Sequence, residues 1–98
     1  MKVDFSTVLK NLDGEPLLDG PDQKPVVLGK AIAMALAASL EEDKGDTPDV
    51  KLKRWHLTNT VWKGETAEIS PEDATMIRTR VCKVTPLLVA GQVLDIIK

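Results

Sequence analysis

Leu28, Ile32, Leu36 and Leu40 recur every fourth residue, with Ala31, Ala35 and Ala38 beside them, in a stretch whose only charge is Lys30. This is helical spacing. The stretch is rich in alanine, and neither proline nor a β-branched run interrupts it. A helix apolar on nearly every side must be covered on nearly every side. Leu28–Leu40 is therefore predicted to be the central buried helix of the fold. Crossing a bilayer takes about 20 apolar residues. This run is shorter and is closed by Glu41-Glu42-Asp43-Lys44, so a membrane role is set aside.

The remaining pattern surrounds that helix. Val3, Phe5, Thr7 and Leu9 alternate with Lys2, Asp4, Ser6 and Lys10, which predicts a half-buried strand. A short helical turn at Ser6 to Asn11 is the competing reading. Asp13-Gly14 suits a tight turn with positive φ. Glu15 to Leu18 would then return as an edge strand, because Pro16 cannot donate to a ladder. Asp19 to Pro25 is dense in turn formers and is predicted to be a surface loop. Val26 and Val27 lead into the central helix, and Glu41 to Asp46 reads as a solvated acidic loop.

Three helices follow. Thr47-Pro48-Asp49 offers a cap, a proline at the first helical position and an acid at the positive end of the dipole. Val50, Leu57 and Val61 share one face of that second helix, with Trp55 and Trp62 flanking it, and Gly64 is placed as its C-cap. Ser70-Pro71-Glu72-Asp73 opens the third helix, whose stripe is Ala74, Ile77, Val81 and Val84. Thr85-Pro86 ends the third and opens the fourth by the same device. There Leu87, Ala90, Val93, Leu94 and Ile97 form a wide apolar stripe extended by Val89 and Ile96, while Gln92 and Asp95 mark the wet side and Leu88 falls with them. The expectation is an α+β single domain spanning residues 1–98, in which an N-terminal β-hairpin packs on a bundle of about four helices.

Composition narrows the function classes. In 98 residues, 43% are hydrophobic and 29% charged, the net charge is −2, and there are two Trp, one Phe and no Tyr. The core must be mainly aliphatic, and a domain this small is marginal alone, so oligomerisation would help it. The slight acidity lacks the basic bias of most nucleic-acid binders. Cys82 is single, so no internal disulfide forms. No apolar region opens the chain, so a cytoplasmic location is expected.

Candidate chemistry is sparse. A nucleophile–base pair would have to join Cys82 to His56, with no signature around either. A zinc site needs about four N or S ligands, and Glu41, Glu42, Asp43 and Asp46 lack EF-hand spacing. No Gly-rich loop cradles a phosphate. No catalytic residue, metal or cofactor is therefore assigned, and no enzyme activity is expected. Basic residues cluster on the second helix (Lys51, Lys53, Arg54) and the third (Arg78, Arg80). They are the candidate nucleic-acid contacts of an alternative reading as a nucleic-acid-associated accessory or regulatory protein. Arg78 and Arg80 are about 160° apart on a helical wheel, and the fourth helix has almost nothing with which to read bases. The leading expectation is a protein partner, a second copy of the chain included, met through Trp55, Trp62, Leu88, Val89 and Ile96. Tryptophans are the kind of large anchor found at interface hot spots; the competing reading is that both close the edge of the core.

Several segments together carry a resemblance: Met1-Lys-Val-Asp-Phe5, the turn Leu12-Asp-Gly-Glu-Pro-Leu17, the Leu-Gly start of the Ala-rich helix, Ser70-Pro-Glu-Asp73, and Pro86-Leu-Leu-Val-Ala-Gly-Gln-Val93. The chain resembles small uncharacterised proteins of tailed bacteriophages and prophages. The resemblance implies a viral protein acting in the host cytoplasm or in the particle, and it transfers no functional residue.

Overall fold

In the computed structural model, which describes Met1–Lys98, the alanine-rich stretch forms α1 (Leu28–Ala37). It packs against α2 (Pro48–Trp62), α3 (Pro71–Val84) and α4 (Leu87–Ile96). Leu28, Ile32, Ala33, Ala35 and Leu36 are buried, as a central helix requires. One stripe stays open: Lys30, Met34 and Ala37 are exposed. The helix is also shorter than its pattern. Ala38 is extended, and Leu40 lies beyond the helix, half-buried.

Val27 supplies no side-chain cap to α1. The N-terminal segment does this work with its backbone. The Leu28 N–H donates to the Thr7 carbonyl at 2.7 Å, and the Gly29 N–H to the Phe5 carbonyl at 2.9 Å. Two of the orphan donors of the first turn are thereby satisfied. Gly29 is required for this approach: a Cβ there would collide with the Val61 carbonyl oxygen and lie 3.0 Å from that of Phe5.

The predicted alternation holds at the start of the chain, where Val3, Phe5 and Leu9 are buried. The pairing is more distributed than a simple hairpin. β1 (Lys2–Asp4) lies antiparallel to β4 (Thr66–Glu68), with Val3 opposite Ala67. The Asp13-Gly14 turn does form, with Gly14 at φ 85°, and brings Lys10 against Pro16. Within the expected surface loop, β2 (Leu18–Asp19) and β3 (Lys24–Pro25) make a second short antiparallel pair. The result is α+β: short antiparallel pairs at the N-terminal side packed on four helices.

Two of the three predicted caps form. Thr47 accepts from the Val50 N–H at 3.3 Å, and Ser70 Oγ from the Asp73 N–H at 3.0 Å. Thr85 does not cap α4. Its hydroxyl donates back to the Val81 carbonyl at 2.7 Å, closing α3 and leaving Pro86 at the cap position. Val50, expected in the apolar face of α2, is exposed. Gly29 sits against Val61, so α1 runs antiparallel to α2. Being five residues shorter, it leaves the first turn of α2 without a neighbour. No helix is long and apolar enough to cross a membrane.

Candidate functional site: an aromatic face and an apolar groove

The acidic stretch after α1 is not a free solvated loop. It forms one 3₁₀ turn, Glu41–Gly45, whose acids are all paired with basic side chains. Glu41 meets Lys44 at 2.9 Å and Glu42 meets Lys83 at 2.6 Å. Asp43 lies 2.8 Å from Arg80 and 3.2 Å from Arg54, and Asp46 lies 2.9 Å from Arg54. The buried Arg80 also donates from Nε to the Ala35 carbonyl at 3.1 Å, and from Nη2 to that of Ala38. It thus takes up carbonyls at the end of α1, where the helix has no partners of its own. The Arg80 hydrogen bond holds the Asp43 carboxyl well below its ordinary value, at about 2. Burial opposes this, while the Leu40 N–H and the charges of Arg80 and Arg54 assist it.

This hub dissolves the predicted basic patch. Arg54 and Arg80 are committed to carboxylates and shielded from solvent. Lys51 and Lys53 are exposed but point to opposite flanks of α2, being two residues apart on a helix. Arg78 lies on the far side of α3 beside Cys82 and Leu94. The five residues do not form one surface.

His56 and Cys82 are likewise separated. His56 lines a cleft of about 650 Å³ between α2 and the start of α3, with Asp49, Lys53, Glu68 and Glu72 around it. Cys82 is exposed in a different depression between α3 and α4.

The apolar candidates divide into two faces. Trp55 and Trp62 are 60% and 50% exposed. Seven residues apart, they share one flank of α2. The Lys30 ammonium stands over the Trp62 ring, 4.1 Å from its centroid, within cation–π range. Met34, one turn further along α1, is 66% exposed. Lys51, one turn before Trp55, edges the flank. The face is thus aromatic and apolar with a cationic rim.

The second face is on α4. Leu87 is 85% exposed, so the exposed leucine of this helix is Leu87, while Leu88 is half-buried. Leu88 points away from the core as its periodicity predicts, but the Asp13-Gly14 turn leans over it. That turn is fixed by Gln92, whose side chain accepts from the Lys10 N–H at 2.8 Å and donates to its carbonyl at 2.7 Å. Leu12, at the tip of the turn, is 95% exposed. Leu12, Leu87, Leu88, Gly91, Gln92 and Asp95 bound a groove of about 540 Å³. Val89 is half-buried against the core, and Ile96 is exposed but does not line this groove. The predicted seam of Leu88, Val89 and Ile96 is therefore not one surface. Leu12 gave no sequence signal, since a leucine beside a turn reads as ordinary until the turn is seen to be pinned.

Comparison with protein-family models, curated proteins and solved structures finds no match to this chain.

Proposed function

We propose that the protein is a small non-enzymatic interaction protein that holds a protein partner against the Trp55–Trp62 flank of α2. The observation that carries this reading is the exposure of two tryptophans on one flank of one helix. Large aromatic side chains half out of water are costly unless something covers them, and aromatic anchors dominate interface energetics. The rim of Lys30 and Lys51 favours a partner whose apolar stripe is edged by carboxylates, since complementary rims speed and select association. The reading as an accessory without chemistry of its own is supported by the placement of His56 and Cys82 in separate depressions. A setting in the host cytoplasm or in the virion belongs to the same proposal and rests on the phage resemblance alone.

Affinity capture from a bacterial lysate, followed by titration of the purified partner, tests the proposal. Trp55→Ala with Trp62→Ala is expected to weaken binding at least a hundredfold, about 2 kcal/mol or more for each anchor. Equal binding by the double variant would overturn it. A captured species that proves to be nucleic acid, released with a steep dependence on salt, would favour the accessory nucleic-acid role instead. That role would then rest on Trp55, Trp62, Lys30 and Lys51 rather than on the arginines.

A further inference from the structure

Asp49 and Glu72, in the first turns of α2 and α3, are exposed and have no basic partner in the fold. Both line the cleft of about 650 Å³ that holds His56. Glu68 and Asp73 line it too, but they are engaged: Glu68 pairs with the Met1 ammonium at 3.1 Å, and Asp73 accepts from the Ser70 N–H at 3.4 Å. On the tryptophan flank the free charges have the opposite sign, for neither Lys30 nor Lys51 meets a carboxylate. We infer that the tryptophan flank of one copy docks into this acidic cleft of the next, so that the chain assembles head to tail. The inference rests on the reading of the flank as a partner surface, and it names that partner as a second copy of the chain.

The two faces match in charge, apolar character and hydrogen bonding. Flank against flank would gather two copies each of Lys30 and Lys51, whereas flank against cleft sets lysines beside free carboxylates, and such complementarity selects the second arrangement. A cleft of this volume lies within the range of about 300–1,000 Å³ typical of binding sites. Its apolar lining is Leu52, Leu57 and Ile69, of which Leu52 is 54% exposed. An indole brings a donor and no acceptor, and Asp49 and Glu72 offer acceptors left free within one copy. Lys53, the one lysine lining the cleft, can stand over an incoming ring as Lys30 stands over Trp62.

The placement of the faces decides the form of the assembly. Lys53 and Thr60 line the cleft, and each is two residues from a tryptophan, about 160° away around α2. The flank and the cleft therefore face different neighbours, and a copy whose flank is filled still offers its cleft. A contact between two different surfaces of one chain propagates, as a ring where the rotation closes and as an open fibre where it does not.

Light scattering and sedimentation of the whole chain test the inference, from about 10 µM to about 1 mM, the range of a weak contact. The mass is expected to rise from 10.7 kDa past twice that value, and the association to weaken several-fold as NaCl rises from roughly 50 to 500 mM. Two variants each remove one face. Trp55→Ala with Trp62→Ala keeps the cleft, and Asp49→Lys with Glu72→Lys keeps the flank. Alone, each should associate at least tenfold more weakly than the parent. Mixed in equal amounts, they should pair and stop at two chains, since one supplies the cleft and the other the flank. Should charge reversal lower the Tm, Asp49→Asn with Glu72→Gln takes its place and is expected to weaken assembly several-fold. A parent that stays monomeric at about 1 mM overturns the inference. So does growth that stops at two chains, or a mixture that fails to pair while both variants keep the parent's Tm. A monomeric parent that still captures a partner through Trp55 and Trp62 would leave the reading of the flank standing, whereas a parent that does neither would sink both.

Discussion

Gly29 shows how one missing side chain can place a helix. Alanine would raise helix propensity there by about 1 kcal/mol. Its Cβ would meet two backbone oxygens, those of Val61 and Phe5, and backbone oxygens cannot rotate aside. Overpacking of this kind costs about 1–3 kcal/mol and would separate α1 from both α2 and the N-terminal segment that caps it. Gly29→Ala is therefore expected to lower Tm by roughly 5–15 °C. A Tm equal to the parent's would show that the approach of Val61 is looser than described. Nothing around Leu28-Gly29-Lys30 announces this role, because the atoms that forbid a side chain come from distant parts of the chain. The same blindness applies to Arg80. Its helical position places it beside the apolar stripe of α3, but its partners lie elsewhere: Ala35 and Ala38 at the end of α1 and Asp43 in the 3₁₀ turn. A wheel shows direction and not what waits there.

At the level of elements, what could be read locally is what local physics decides. The starts of α2 and α3 follow from Thr47-Pro48 and Ser70-Pro71, because a capping oxygen and a preset φ act within one turn. Thr85-Pro86 carries the same letters, yet its hydroxyl donates back to the Val81 carbonyl of α3, and Pro86 takes the cap position of α4. The pairing of β1 with β4 was beyond such reading, since strands so far apart in sequence are matched by the packing of the helices between them. The acidic turn between α1 and α2 is solvated as expected, but its ion pairs were hidden for a similar reason: Asp43 and Asp46 are ordinary surface acids until two arginines arrive from α2 and α3. This hub makes the helix packing sensitive to pH. Asp43 titrates near 2 when folded, against an ordinary 3.8, so its contribution is complete above about pH 4 and is lost as pH falls through 2. Urea unfolding at pH 7, 4 and 2.5 should show a loss of stability over the lower interval in the parent and a flatter profile in Asp43→Asn. Arg80→Met leaves a shielded carboxylate and two helix-end carbonyls short of a partner, and it is expected to cost about 3–5 kcal/mol at pH 7. A cost under 1 kcal/mol would mean that Arg54 alone satisfies Asp43.

Over the whole molecule, burial and exposure distribute two kinds of surface. The apolar faces of the four helices meet in one core around α1, but the fold is too small to cover every apolar residue it carries. What remains exposed falls on two faces, with Trp55, Trp62 and Met34 exposed and Lys30 over the Trp62 ring on one, and Leu12 and Leu87 beside a groove lined by a single charged residue, Asp95, on the other. The tryptophans were legible as flanking the apolar face of α2, where they stand exposed. The groove was not, because it is assembled from α4 and a turn that only Gln92 brings together.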